Sequence, residues 1–244
     1  MKIKCIFLIY LLINLINSNN TTKNYLDWCL DNGVKLFAPI EISSENGINK
    51  FIADKEIEKD EEIVKIPYDI TFNIGKILDL IKSRKLLSQY HLLNILDIDT
   101  YEPHNVNLQK EEIFLAYILY IIDHEPELYQ NTTFYQKYKL YLESLKNYLP
   151  RSPLFYNSEQ LEYLSGTYLG KFHDRIKKLF QEEIKVLKNE SFYNKELDFK
   201  EYCLDRLRTQ NKGMEILGKI RMVPLSNYFD RDYLIFNAEF TIEW

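Results

Sequence analysis

The stretch from Lys110 to Asp123, KEEIFLAYILYIID, is apolar on nearly every face of a helix. Its apolar residues recur at the i, i+3, i+4 and i+7 spacing: Ile113, Ala116, Tyr117 and Tyr120. Glu111 and Glu112 fall in the first predicted turn, where the helix dipole favours anionic side chains. A helix without a polar face has to be covered on all sides, so we predict a buried central helix.

The composition is that of a folded globular chain. Of the 244 residues, 46% are hydrophobic and 27% are charged, with only seven glycines and seven prolines. A chain of this length buries a full core as one domain or divides into two lobes. The net charge of -5 argues against broad, non-specific binding to nucleic acids, which requires a basic surface. We assign the nineteen tyrosines and fourteen phenylalanines to the core and its boundary.

Apolar periodicity and turn residues predict the elements on either side of the central helix. Short apolar runs between polar turns are typical of β-strands: Val34–Ile42, Lys50–Ala53 and Glu62–Pro67. Helical spacing predicts further helices: Tyr25–Leu30, Phe134–Tyr148, Ser158–Gly166 and Leu169–Leu187. Near the C-terminus, the Asp205-Arg206 pair closes a helical run. A loop holding Gly213 and Gly218 follows it, and then a short strand, Ile220–Val223, which Pro224 ends.

This C-terminal segment resembles the cofactor-proximal segment of SET-domain lysine methyltransferases, in the branch that includes the RuBisCO large-subunit methyltransferase. The family pattern is Ser-Arg, a loop, a strand ending in Val-Pro, and then Asp-x-x-Asn-His. Two more stretches resemble the family in the same order: Gly47–Pro67 (GINKFIADKEIEKDEEIVKIP) and Tyr141–Gly166 (YLESLKNYLPRSPLFYNSEQLEYLSG). The resemblance covers roughly Tyr25 to Tyr233.

The resemblance implies an α+β fold in which small SET-like β-sheets are split by a large, mostly helical insert, with the C-terminal part of the fold missing. The chain is thus divided into a signal-peptide-like segment (1–19), the N-terminal part of the SET-like domain (20–74), the helical insert (75–212) and the returning SET-like strands (213–244). The resemblance also implies that Ile220–Val223 pairs with strands of the first seventy residues.

The activity implied is methyl transfer from S-adenosylmethionine to a lysine of a protein substrate. In the family, the turn that matches Gly47 approaches the methionine end of the cofactor, and Asn49-Lys50 stand where a second glycine is expected. Arg206 stands at the arginine of the Ser-Arg pair, with Asp205 in place of the serine, and its guanidinium would support the cofactor pocket. A solvent-facing arginine near a helix end is the competing interpretation.

The Asp-x-x-Asn-His motif is changed at each of its named positions. Asn227 falls on the family aspartate, Asp230 on the asparagine that holds the methionine part of the cofactor, and Arg231 on the histidine. The family tyrosine that completes the active site follows this motif in a later strand. Residues 232–244 read as a single strand that does not supply it, so the catalytic residue stays unassigned.

Other chemistries lack their motifs. The histidines are far apart, and neither His-x-x-x-His nor Cys-x-x-Cys occurs, so we predict no metal site and histidines at the surface. No nucleophile elbow, Walker loop or dinucleotide fingerprint is present. Cys29 and Cys203 lie in apolar helical contexts and are expected to be buried free thiols.

The N-terminus has the form of a secretory signal peptide. Lys2 and Lys4 precede an apolar run from Ile6 to Ile16 that is short for a membrane span, and polar residues follow. Acceptor sequons for N-glycosylation occur at Asn20, Asn131 and Asn189. Secretion conflicts with the cytosol or nucleus that the family resemblance suggests. The alternative to an enzyme is therefore a non-enzymatic helical interaction module or exported glycoprotein on a SET-derived scaffold.

Overall fold

The structure is a computed structural model, and its contacts divide the chain into two compact units. One unit comprises residues 1–70 with 224–244, and the other comprises residues 71–223. The described residues are 24–37, 40–45, 48–58, 61–93, 106–150, 152–189, 195–217 and 219–226. For 41–45, 48–50 and 106 the structure describes the backbone alone. The domain limits predicted from the sequence stay a prediction.

In its described residues, the first unit combines one α-helix with two small antiparallel sheets. Helix α1 covers residues 24–31 and ends at Gly33, whose φ of +88° is a left-handed value that glycine adopts without strain. The strands are β1 (Lys35–Leu36), β2 (Ile40–Glu45), β3 (Ile48–Ala53) and β4 (Val64–Lys65). Strand β1 pairs with β4, and β2 pairs with β3 in a hairpin. The predicted run Val34–Ile42 is thus two strands with different partners.

The same unit holds the residues that follow Pro224. Leu225 is fully buried, and its N–H donates to the hydroxyl of Tyr25 on α1 at 3.0 Å. Tyr25 is itself fully buried. The turn at residues 224–226 is therefore fixed to the N-terminal helix, directly before the position of the changed family motif.

The second unit is mostly helical. Its helices are α2 (Ile74–Ile81), α3 (Arg84–Leu92), α4 (Val106–His124), α5 (Pro126–Tyr129), α6 (Thr133–Asn147), α7 (Ser158–Tyr163), α8 (Tyr168–Asn189) and α9 (Phe199–Lys212). Two 3₁₀ turns, Tyr68–Ile70 in the first unit and Pro153–Phe155 in the second, complete the helical elements of the described residues. Together with the small sheets, this is the predicted α+β fold with a helical insert.

Helix α4 is the predicted central helix. Every residue from Ile113 to Ile122 is buried, which confirms that an all-apolar helix is covered on all sides. The predicted start was wrong, because the helix begins at Val106 and not at Lys110. Glu111 and Glu112 consequently lie beyond the first turn, and each pairs with a basic side chain instead of with the free N–H groups of the helix end.

The segment after α9 is a β-hairpin. Strand β5 (Gly213–Ile216) pairs antiparallel with β6 (Lys219–Met222), so the loop predicted from Gly213 onward is wrong for these residues. Met222 also forms a bridge with Phe72. Among the described residues, β6 forms no ladder with β1 to β4, which contradicts the expected pairing with strands of the first seventy residues. The hairpin instead satisfies the backbone groups of β6 within residues 71–223.

Two predictions about individual side chains have a definite outcome. Cys29 and Cys203 are buried free thiols, as expected, and burial raises the pKa of each to about 12. His173 was expected at the surface but lies buried on α8, where its ring contacts Asp174. Within the described ranges, no helix is both long enough and apolar enough to span a bilayer.

Candidate functional site

Helix α9 holds the arginine singled out by the family resemblance and begins at a defined cap. Asp198 accepts the N–H of Glu201 at 2.9 Å, and its own N–H donates to the hydroxyl of Tyr120 on α4 at 3.0 Å. The helix buries a set of residues unusual for their charge: Asp205, Arg206, Arg208 and Lys212, beside Tyr202, Cys203 and Thr209. Charged side chains are seldom buried unless they are paired, so the partners of these groups are the main question.

Arg206 is bound by two glutamates from different helices. Its Nε donates to the carboxylate of Glu183 on α8 at 3.0 and 3.3 Å, and its Nη1 donates to Glu112 on α4 at 2.9 Å. The hydroxyl of Tyr202 donates to the same Glu183 carboxylate at 2.9 Å. Arg206 is 1% exposed and Glu183 is 0% exposed. The cluster therefore joins α4, α8 and α9 through charge-assisted hydrogen bonds in the interior.

The cluster perturbs the acid–base behaviour of its members. Burial raises the pKa of Glu183, and Arg206 opposes that shift. Burial alone would lower the pKa of Arg206, but the charges of Glu183 and Glu112 outweigh it and raise the pKa. Burial also raises the pKa of Tyr202 well above its ordinary value. The arginine is accordingly a permanent cation whose Nε and Nη1 groups are committed to carboxylates.

A second pair lies on the same helix and reaches the end of α6. Arg208 Nη1 donates to Asp205 at 2.8 Å, while its Nε and Nη2 donate to the carbonyl oxygens of Tyr148 and Lys146 at 3.2 and 2.7 Å. These carbonyls lie at the C-terminal end of α6, where a cation is favourable. Burial raises the pKa of Asp205 to about 7, although the Arg208 charge opposes the shift. This pair braces α9 against α6.

A third buried carboxylate holds strand β6. Glu111 on α4 is 4% exposed, and its two oxygens accept from Lys219 Nζ at 2.7 Å and from the N–H of Ile220 at 2.9 Å. One residue further along β6, Arg221 Nη1 donates to the hydroxyl of Thr71 at 3.3 Å. The strand that leads toward Pro224 is thus fixed by side chains as well as by its hairpin.

Solved structures share this arrangement of helices and strands. The SET domain of LSMT bound to methyllysine and AdoHcy matches with a TM-score of 0.63 at 13% identity, over 89% of this chain and 46% of that chain. Rubisco LSMT bound to AdoMet matches with a TM-score of 0.62 at 14% identity, with the same coverage of both chains. The SET domain of LSMT bound to lysine and AdoHcy matches with a TM-score of 0.61 at 14% identity, over 88% of this chain and 44% of that chain.

The chain has the SET fold. It spans less than half the length of the solved chains that it matches. No protein-family model matches the sequence, and no curated protein matches it either. At this level of identity the comparison shows the architecture and leaves the chemistry of the site to the residues themselves.

Within this SET fold, most of the predicted cofactor residues lie outside the described residues. This holds for Gly47, Asn227, Asp230 and Arg231. The backbone of Asn49 lies in β3 opposite Ser44. The role of these residues in cofactor binding therefore stays a prediction.

Arg206 has a described side chain, and its burial excludes one of its two interpretations. It is not the solvent-facing arginine of a helix end, because it is buried in the middle of α9. Its contacts with Glu183 and Glu112 engage Nε and Nη1 of the guanidinium, and its support of a cofactor pocket stays a prediction. They fit a residue that holds three helices of the SET fold in register.

Sequence reasoning missed the acidic partners. Glu111 and Glu112 were assigned to a helix dipole, and Glu183 was one of several charged residues on α8. A signal was present in the sequence at α4, since two adjacent glutamates precede an otherwise apolar helix and need cationic partners if they are buried. Nothing comparable in the sequence distinguishes Glu183 from the adjacent, half-buried Glu182.

Proposed function

We propose that this SET-fold chain is a protein of the lysine-methyltransferase type, which transfers a methyl group from S-adenosylmethionine to a lysine of a protein substrate. The observation that carries the proposal is the match to SET domains over 89% of the chain. Those domains are bound to lysine or methyllysine and to AdoMet or AdoHcy. The family-like order of the three sequence segments supports the same conclusion independently.

The reaction is an in-line displacement. S-adenosylmethionine supplies the methyl group and the sulfonium leaving group; a C–N bond forms as the C–S bond breaks, S-adenosylhomocysteine leaves, and the amine proton passes to water. The protein would contribute orientation of the lysine, a desolvated environment that favours its neutral form, and exclusion of water. The residues assigned to the pocket by resemblance are Gly47, Asn49, Asn227, Asp230 and Arg231, with Arg206 as a positioning residue.

Two of these residues reduce the expected affinity for the cofactor. Asp230 can accept a hydrogen bond from the cofactor ammonium but cannot donate one at neutral pH, and Arg231 cannot pack as a histidine ring does. A lost hydrogen bond to a charged group costs about 1.5–3 kcal/mol. Two such losses weaken binding by roughly two to four powers of ten. We therefore expect weak binding by the unaltered chain.

These changes favour a second candidate function. A chain that keeps the SET scaffold and has lost the cofactor contacts would act as a non-enzymatic interaction module, with α4 and the buried ion pairs maintaining its shape. The two candidates predict different effects of restoring the family residues at Asp230 and Arg231. An enzyme whose affinity is only reduced still transfers methyl groups, whereas a scaffold does so only after reversion or not at all.

The test is calorimetry with S-adenosylmethionine on residues 20–244, before and after the double substitution Asp230→Asn with Arg231→His. The matched control is Asp174→Asn with Arg175→His, which makes the same two changes on the exposed side of α8. We expect tighter binding in the first variant and unchanged binding in the control. Transfer of labelled methyl groups to a lysine-rich protein mixture is measured in parallel.

Each outcome separates the candidates. Micromolar binding by the unaltered chain with methyl transfer establishes the enzyme and shows that the changed motif is tolerated. Binding that requires the double substitution favours the scaffold derived from an enzyme. If neither chain binds the cofactor while both unfold cooperatively, the proposed function is wrong.

A further inference from the structure

The turn between α5 and α6 contains an acceptor sequon, Asn131-Thr132-Thr133. Asn131 and Thr133 are both exposed. An acceptor asparagine has to lie at the surface, because the attached oligosaccharide is bulky and strongly hydrated. The next residue, Phe134, is fully buried, so the chain enters the core immediately after the sequon and not within it.

The turn is held together by groups other than the asparagine side chain. The hydroxyl of Thr132 donates to the carbonyl of Tyr129 at 2.6 Å and accepts the N–H of Tyr135 at 3.2 Å, which makes it the cap of α6. The N–H of Thr132 also donates to Tyr129, at 2.9 Å. Gln136 Nε2 donates to the carbonyl of Gln130 at 2.6 Å. A substituent on Asn131 would leave all of these bonds in place.

The N-terminal sequence supplies a route to the compartment in which such a modification is made. Lys2 and Lys4, the apolar run and the polar residues after it have the three-part order of a secretory signal. Neither this order nor the exposed sequon would mean much alone. Together they connect a route into the secretory compartment with an acceptor that the fold leaves accessible.

We propose that Asn131 carries an N-linked oligosaccharide, added after residues 1–18 direct the chain into the secretory compartment. The donor is an oligosaccharide joined to a lipid diphosphate. The side-chain amide nitrogen of Asn131 forms the bond to the first sugar carbon, the bond from that carbon to the phosphate oxygen breaks, and the lipid diphosphate leaves. The amide proton passes to a base of the transferring enzyme. The proposal is independent of methyl transfer.

On the described structure, Asn131 is a better acceptor than Asn189. Asn189 is the last residue of α8, so its side chain projects from a helix, and the rest of its sequon lies outside the described residues. Asn20 lies outside them as well. Asn131 itself lies in the turn before α6, and only Thr133 of its sequon belongs to the helix. A turn presents an acceptor to another enzyme more readily than a helix does, because a helix uses its backbone groups internally.

The experiment is cell-free translation of the full chain in the presence of endoplasmic-reticulum microsomes, followed by electrophoresis with and without a peptide-N-glycosidase. We expect a glycosidase-sensitive shift that decreases by one glycan in Asn131→Gln. Thr133→Ala should decrease it equally, whereas Thr133→Ser should retain it, because serine preserves the sequon. The matched control is Asn147→Gln, which changes an exposed asparagine outside any sequon.

Deletion of residues 2–18 should abolish the shift, because the chain then lacks its route into the microsomes. The proposal is overturned if the full chain shows no glycosidase-sensitive shift, which would place the protein outside this compartment. It is equally overturned if the shift is the same size in Asn131→Gln as in the unaltered chain, since another asparagine would then carry the glycan.

Discussion

At the scale of single residues, the interior of this protein depends on charges that have partners on other helices. Removal of the Arg206 side chain leaves Glu183 as an unpaired carboxylate that is 0% exposed. Breaking a buried pair in this way typically costs about 3–5 kcal/mol. We therefore expect Arg206→Ala to lower the free energy of unfolding by about this amount, measured by urea denaturation.

The matched control for this prediction is an exposed ion pair. Lys178 lies 3.9 Å from Glu182 on the surface of α8, with its side chain 74% exposed. Exposed pairs contribute about 0–1 kcal/mol, so Lys178→Ala should hardly change the unfolding midpoint. An equal effect of both substitutions would show that Arg206 is not stabilised by its buried carboxylates.

Asp205 gives stability a pH dependence of known sign. Burial raises its pKa from 3.8 to about 7, so the protonated form is favoured in the folded state. That contribution is fully present below the unfolded pKa and is lost as the pH rises through the folded pKa. The free energy of unfolding of the unaltered chain should therefore fall, relative to that of Asp205→Asn, between pH 4 and pH 7.

Urea titrations of both chains across this range provide the measurement. Up to about pH 7, the free energy of unfolding should fall more steeply with pH in the unaltered chain than in Asp205→Asn. Above about pH 7 the two chains should show the same dependence on pH. If the free energy of unfolding has the same pH dependence in both chains over the whole range, the carboxyl of Asp205 has an ordinary pKa, held low by Arg208.

At the scale of elements, one glycine determines how α9 passes into the hairpin. A Cβ atom added at Gly213 would lie 2.5 Å from the carbonyl oxygen of Thr209 and 3.1 Å from Ile220 Cγ2. The carbonyl belongs to the helix backbone and cannot move aside as a flexible side chain can. We expect Gly213→Ala to destabilise the protein by about 1–3 kcal/mol, the usual cost of overpacking.

Gly75 is the matched control, since it lies in α2 with ordinary space around it. Among the described residues, an added Cβ there would meet only Asn73 Oδ1, at 3.6 Å. Alanine at a compatible helical position stabilises by about 0.4–1 kcal/mol through the unfolded chain. Thermal unfolding should therefore move in opposite directions for Gly75→Ala and Gly213→Ala. A higher melting temperature for both would show that the turn after α9 is freer than its geometry indicates.

At the scale of the whole molecule, residues 71–223 have the properties of an independent folding unit. They contain α4, the cluster around Arg206 and the β5–β6 hairpin, and the bonds of these groups described above lie within the same range. A domain of about 150 residues buries roughly 70% of its unfolded surface, which is sufficient for cooperative folding. We expect this fragment to unfold in a single transition.

Circular dichroism in increasing urea tests that expectation, with Phe114→Ala as a comparison. Phe114 is fully buried on α4. Its truncation should lower the free energy of unfolding of the fragment by about 3–5 kcal/mol, the cost of a large core deletion, and so move the midpoint to a lower urea concentration. A broad transition without a midpoint, insensitive to this substitution, would show that the range does not fold without the rest of the chain.

Much of this architecture could be predicted from the sequence because it depends on local pattern. The apolar periodicity of α4 requires burial whatever surrounds it, and turn residues separate the strands before it. The order of family-like segments indicated the SET fold although no family model matches the sequence. The same segments singled out Arg206, whose place beside a cofactor pocket stays a prediction.

The partners of the buried charges were decided only by the tertiary structure. Arg206 meets Glu112 across 94 residues of sequence, and Ile220 meets Glu111 across 109. A charge is stable in the interior only beside its opposite, and no local pattern records which distant side chain the fold brings there. The sequence by itself determined that α4 is buried and that a short strand follows α9. The fold determined that glutamates at the start of α4 hold that strand and the arginine of α9 in place, because only packing brings those groups within bonding distance.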